Sequence, residues 1–195
     1  MKDPVLLFGG GLESTWLFFK LIESKKKFKV LFVDYGQSAV KEELSAVRSL
    51  CRKFNIESRV IKTEILKTIN EENTNLLLDG EGESFVWARN LVLCTIAASY
   101  SNMIVTGSHS KDPVSDASDW FYRHLLKTLE ASFNRKITIV RPGGTVSKKS
   151  MALFCLKFDK NILSTLFSCW LPKRGKPCGT CAHCEKINSL KALTS

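Results

Sequence analysis

The chain lacks any apolar run of the ~18–20 residues that a membrane span requires; its longest, around Leu91 to Ala98, is about half that. No secretion signal is expected: Asp3 and Pro4 come at once, and the short apolar stretch behind them runs into glycines and Glu13. Internal repeats and low-complexity linkers are absent, which excludes solenoids and tethered arrays. A cytoplasmic protein without a membrane partner is expected. Acidic residues are scarce, 19 against 29 Lys and Arg, for a net charge of +10. The lysines are dispersed, with Lys25–Lys27 the one triplet, so direct nucleic-acid binding stays open but is not favoured. A basic balance also suits a polyanionic small molecule such as ATP. At 195 residues and 44% hydrophobic composition, one domain with a real core is expected, with a small appendage.

Strand and helix patterns alternate along the chain. Strands are predicted at Val5–Phe8, Lys29–Val33, Arg59–Ile61, Met103–Gly107 and Ile137–Val140. Helices are predicted at Ser14–Ile22, capped by its own Ser or Thr, and at 40–54, 86–100 and 119–133. Residues 63–83 read as a loop or weak helix placed to fold over a site. This alternation predicts an α/β fold with right-handed βαβ units, an open parallel five-stranded sheet and helices on both faces. Ligands in such sheets sit beyond the carboxyl ends of the strands. The informative segments fall there: Gly9–Ser14, Asp34–Gln37, 107–112 and 141–148.

The segment Phe8-Gly9-Gly10-Gly11-Leu12-Glu13-Ser14-Thr15 carries most of the chemistry. An apolar run stops at three glycines, and a hydroxyl pair opens a helix. Such a loop exposes backbone N–H groups and the positive end of a helix dipole, which together bind phosphate. No lysine precedes Ser14, which excludes a Walker loop. Gly9-x-Gly11-x-x-Ser14 with Asp34 is a near miss to the dinucleotide fingerprint, with Ser14 in place of the third glycine. The segment is more similar to the Ser-Gly-Gly-x-Asp-Ser loop of the ATP pyrophosphatases (PP-loop ATPases), with Gly9 for the leading Ser and Glu13 for the Asp.

The seven cysteines divide unevenly. Cys51, Cys94 and Cys155 lie in helix-like or apolar stretches and read as small core residues. Cys169-x8-Cys178-x2-Cys181-x2-Cys184 has the spacing of a closed tetrahedral site, and a four-thiolate set points to structural Zn²⁺. Lys173, Arg174, Lys176 and Lys186 surround it and would soften its negative charge. His183, between two of the cysteines, reads as a bystander.

Loop and tail together resemble the QueC family, the 7-cyano-7-deazaguanine synthases of queuosine biosynthesis, nearly end to end. Tyr35-Gly36-Gln37 matches the family's Tyr-Gly-Gln. Phe85-Val86-Trp87-Ala88-Arg89-Asn90 matches its Phe-Val-Pro-Gly-Arg-Asn, and Ser147-Lys148 its Ser/Thr-Lys pair. The family's Tyr-Pro-Asp-Cys-Arg segment, part of the deazaguanine pocket, aligns with Ala117-Ser118-Asp119-Trp120-Phe121, where Asp119 alone is kept. Its Thr-Pro-Leu is replaced by Arg141-Pro142-Gly143-Gly144-Thr145.

The resemblance implies a Rossmann-like domain of the adenine nucleotide alpha hydrolase type over residues 1–160, with a zinc-binding segment at 161–195 packed on it. It implies a homodimer that uses ATP with Mg²⁺ to convert 7-carboxy-7-deazaguanine and ammonia to the nitrile through an acyl-adenylate. Residues Phe8 to Thr15, Asp34, Tyr35, Gly36, Gln37 and Gly107 would bind ATP, and Phe85, Trp87, Arg89, Asn90 and Asp119 the acceptor. Ser14, Arg89 and Lys148 would be catalytic, with Arg89 and Lys148 neutralising phosphate charge. From the residues alone, Arg89 also fits a surface salt bridge, Lys148 a solvated charge, and Trp87 and Trp120 core or interface packing rather than stacking on a base. Two further functions stay open: a PP-loop adenylating enzyme acting on another carboxylate, a protein or a tRNA base, and a catalytically impaired nucleotide-binding homologue.

Overall fold

Short β-rich runs buried on both faces need helices on either side, and the chain supplies them in alternation. The computed structural model describes residues 3–70, 86–109, 115–141 and 146–194. In order these form β1 (Val5–Leu7), α1 (Leu12–Glu23), β2 (Lys29–Asp34), α2 (Val40–Lys53), β3 (Ser58–Lys62) and α3 (Ile65–Ile69). Then come α4 (Arg89–Tyr100), β4 (Met103–Thr106), a 3-10 turn at Ser115–Ala117, α5 (Asp119–Phe133), β5 (Thr138–Val140), α6 (Lys148–Leu156), α7 (Ile162–Thr165) and α8 (Ala182–Thr194). The five strands pair in parallel in the order β3-β2-β1-β4-β5, as the alternation predicts.

Side chains alternate across each strand, so one sheet feeds two cores. Leu6, Phe8, Val30, Phe32 and Val105 face α1, α2, α6 and α8. Val5, Leu7, Leu31, Val33 and Ile104 face α4 and α5. The first core is aromatic: Phe18 stacks on Phe8 at 5.2 Å and meets Phe28 and Phe54 edge-on. Ile162, Leu163, Leu166 and Leu190 pack into the same core. Cys51, Cys94 and Cys155 are buried, as their apolar surroundings predict. Among the described residues no helix is long and apolar enough to cross a membrane.

Two helix starts differ from the sequence reading. α1 begins at Leu12, not Ser14, and Gly11 rather than a hydroxyl residue is its N-cap, with no side-chain cap bond. Gly10 has φ +76 and Gly11 is extended, so the chain turns straight into the helix. α4 begins at Arg89 because Ala88 takes the left-handed conformation (φ 58) and interrupts the apolar pattern at 86–88. Of the segment read as a covering loop, residues 63–70 carry α3, and 71–83 lie outside the described residues.

Candidate functional site

The strand order reverses between β1 and β4, and the crevice beyond their carboxyl ends is where an open α/β sheet binds ligands. The glycine loop sits there. Gly10 lies against α2: a Cβ on it would come 3.3 Å from the Ala46 Cβ and from the Glu43 carbonyl oxygen. On the other side the Phe167 N–H donates to the Gly10 carbonyl at 3.0 Å. Gly107, just after β4, approaches so closely that its Cβ would stand 3.1 Å from the Ser14 nitrogen. The loop is thus held from three sides while the first N–H groups of α1 carry no side-chain cap.

The hydroxyl groups divide. Ser14 Oγ donates to the Gly11 carbonyl at 3.1 Å. Thr15 is fully buried and its Oγ1 has no hydrogen-bond partner among the described residues. Phe8 and Leu12 turn their side chains into the first core, so only their backbone is available to a ligand. Glu13, in the first turn of α1, forms an ion pair with Lys148, the first residue of α6. Ser147 caps that helix by accepting the Ser150 N–H at 3.0 Å. Lys148 is therefore half-buried at the loop rather than solvated. Burial, then the like charge of Lys186, pulls its ammonium down to about 8; the Glu13 carboxylate in contact opposes that pull.

The turn after β2 uses its polar side chains on itself. Asp34 Oδ1 accepts the Gly36 N–H at 3.1 Å, Gln37 Oε1 accepts the Tyr35 N–H at 3.0 Å, and Gly36 has φ +88. Gln37 Nε2 donates onward to Glu43 Oε2 at 2.9 Å. Burial pushes the half-buried Glu43 carboxyl up to about 7, against the Gln37 hydrogen bond and the Arg89 charge. Tyr35 is raised by burial as well, with Arg89 opposing. Sequence reasoning missed Glu43, which reads there as one of many acids on a helix face.

At the far end, α4 and α5 meet. Asp116 is 6% exposed; its Oδ2 accepts the Asn90 N–H at 3.0 Å and its carbonyl accepts Asn90 Nδ2 at 3.0 Å. Its carboxylate thus covers the N-terminus of α4, where the helix dipole favours negative charge. Burial works against the Arg89 cation, but Tyr35 and Asp116 outweigh it and hold its pKa above the usual value. Asp119, the acid singled out from the sequence, is 77% exposed at the side chain and pairs with the nearly buried Arg141. Arg141 also donates to the Ala117 carbonyl at 2.5 Å and lies over the Tyr122 ring. The inward acid of this segment is therefore Asp116, three residues before the predicted one, and Asn90 is spent on holding it. Trp87 (47% exposed) and Trp120 (63%) are not core residues, which removes the core half of the packing reading and leaves its interface half. Phe85, 110–112 and 142–145 lie outside the described residues.

The four tail cysteines do converge. Their sulfurs all lie within 4.8 Å of one another, with Cys178 and Cys184 at 3.9 Å. A tetrahedral site with bonds of ~2.3 Å places sulfurs ~3.8 Å apart, so the set fits a metal ion with little movement. Backbone N–H groups of Leu171 and Cys178 donate to Cys169 Sγ at 3.3 and 3.2 Å, and that of Cys181 to Cys178 Sγ at 3.3 Å. These bonds favour thiolate. A Lys173–Lys176 bridge, turned by Arg174 and Gly175 at positive φ, spaces Cys169 from Cys178. His183 stands apart from the set, with its ring on Trp170 at 4.1 Å.

The family profile of the queuosine biosynthesis protein QueC matches residues 3–192. The chain belongs to the QueC family. A QueC relative from Leptospira interrogans, named 7-cyano-7-deazaguanine synthase, is 29% identical over 94% of this chain and 84% of its own length. One of the same name from Clostridium novyi is 26% identical over 94% of this chain and 91% of its own. The crystal structure of a predicted subunit of tRNA methyltransferase from Methanocaldococcus jannaschii shares the fold of this QueC member, with TM-score 0.55 and 15% identity over 80% of this chain and 74% of that one.

Proposed function

We propose that this QueC member is an ATP-dependent ligase that converts 7-carboxy-7-deazaguanine and ammonia to 7-cyano-7-deazaguanine. The observation that carries the reading is the glycine loop: an uncapped helix start at the switch point, closed by Gly107 and faced by Lys148. In this reading the loop and first turn of α1 bind the pyrophosphate portion of ATP, with Lys148 leaving Glu13 to meet the phosphates. Mg²⁺ arrives with the nucleotide and neutralises part of its charge. The Asp34–Gln37 turn borders the adenosine.

The acceptor carboxylate attacks the α-phosphate, pyrophosphate departs, and ammonia converts the acyl-adenylate to the amide. A second ATP then activates the amide oxygen, and loss of AMP gives the nitrile. The protein's work is placement and charge neutralisation. Arg89 stands ready for phosphate charge, and Asp116 takes the place at the guanine-like edge that the sequence reading gave Asp119. The four cysteines hold Zn²⁺ in a closed, structural site over residues 161–195.

A second reading, another carboxylate as acceptor, is favoured by one observation: Arg141 occupies Asp119. Pyrophosphate release in ATP, Mg²⁺ and ammonia, with and without 7-carboxy-7-deazaguanine, tests both. Release that depends on that acid, with the nitrile seen by mass spectrometry, supports the first. ATP binding with no acid-dependent release rejects it in favour of a different acceptor.

A further inference from the structure

Amide formation from ammonia must dispose of a proton, and the reaction above assigns no group to take it. Most carboxylates of the site are already engaged. Glu13 is paired with Lys148 and Asp119 with Arg141. Asp116 is fixed on the Asn90 N–H and Asp34 on the Gly36 N–H. Glu43 differs: among the described residues it has no lysine or arginine in ion-pair contact, and its carboxylate is held by a side-chain amide, Gln37 Nε2 at 2.9 Å, rather than by a backbone N–H.

Its position is central. The Glu43 backbone carbonyl packs against Gly10 of the phosphate loop. Its carboxylate joins the Asp34–Gln37 turn through Gln37 and lies within electrostatic reach of Arg89. The backbone of this residue thus borders the phosphate loop while its side chain faces the Asp34–Gln37 turn and Arg89. We infer that Glu43 is the general base of the amide-forming half-reaction, a role that rests on the ligase reading. The ammonia nitrogen donates its lone pair to the acyl carbon and forms the C–N bond. One N–H proton passes to the Glu43 carboxylate, and the acyl C–O bond breaks with its electron pair leaving on the phosphate oxygen of AMP.

The surroundings suit that task. Burial raises the carboxyl to about 7, while Gln37 and Arg89 lower it, and Glu42 on the same helix adds a raising charge. Tyr35, just after β2, is a further titratable group facing it among the described residues. A base poised near the working pH is where general-base catalysis is most effective.

The test follows pyrophosphate and amide separately in rapid quench, using the full metal-loaded chain, ATP, Mg²⁺ and 7-carboxy-7-deazaguanine. Glu43→Gln is expected to keep the acid-dependent pyrophosphate burst and to form amide from ammonia about 10²-fold more slowly or worse. The rise of the ammonia-dependent rate through pH 7 should vanish with it. Hydroxylamine, whose adduct is acidic enough to lose its proton to water, should still be acylated at close to the wild-type rate, and Glu43→Asp should restore part of the ammonia rate. The inference is overturned if Glu43→Gln forms amide normally or if burst and amide fall together. A wild-type protein without an acid-dependent burst overturns the ligase reading, and the role of Glu43 with it.

Discussion

Gly9 stands where the similar ATP pyrophosphatase loops carry serine, and a Cβ built on it meets none of the described residues within 4 Å. Gly9→Ser should therefore fold normally, within about 0.5 kcal/mol of the parent, and lower KM for ATP by adding a donor to the loop. Thermal melts and pyrophosphate kinetics check both parts; a raised KM would mean that the hydroxyl points away from the phosphates. Gly10 offers the contrast, since its positive φ and the close Ala46 Cβ leave no such room. Glu43 makes a pH prediction for stability. With its carboxyl raised to about 7 from 4.5, the folded state holds a proton that the unfolded chain has released between those values. The native state is thus penalised progressively as pH rises from 4.5 through 7. Glu43→Gln should gain stability relative to the parent at pH 8, and the gain should fade towards pH 4.5 in parallel melts.

The elements carry the next tests. Asp116 caps α4 from inside, whereas Asp119 makes an exposed pair at the start of α5. Asp116→Asn should cost about 1 kcal/mol through the lost charge at the helix start and raise KM for the acceptor more than for ATP. Asp119→Asn should cost less than about 0.5 kcal/mol, since exposed ion pairs contribute little. Equal effects would mean that the two acids share one role. The sequence made the sheet legible, because Lys29–Asp34 holds a short continuous apolar run and helices such as Asp119–Phe133 follow a helical hydrophobic period. It hid which acid turns inward, since a spacing of three on one segment places both Asp116 and Asp119 near the α5 start. The early start of α1 was hidden too, for it depends on the backbone angles of Gly10 and Gly11 and on no side chain. Glu43 gained its standing only from the burial that packing of α2 on the loop creates.

At the scale of the whole molecule, the tail and the loop are one assembly. Cys169 follows Phe167, whose N–H holds Gly10, and Cys169 and Cys184 pack with Ala39 and Ala46 of the α2 region. Removal of the metal should therefore weaken ATP binding as well as lower Tm. Calorimetric titration of ATP into chelator-treated and zinc-restored protein checks this; unchanged affinity beside a lowered Tm would confine the metal to bulk stability. The four-cysteine spacing was legible in sequence, but its mechanical link to the glycine loop was not, because about 155 residues of chain separate the two partners in the Phe167–Gly10 bond.

That bond also sets an order of assembly. Gly10 leaves the ribosome well before Phe167, and synthesis at ~5–20 residues per second puts roughly 8–30 s between them. The described strands are all present about 1–5 s before the brace that steadies their nucleotide loop, since β5 ends at Val140. A nascent or truncated chain ending near residue 160 would carry every described strand and still hold its phosphate loop unfinished, so competence to handle ATP is withheld until Phe167 has emerged.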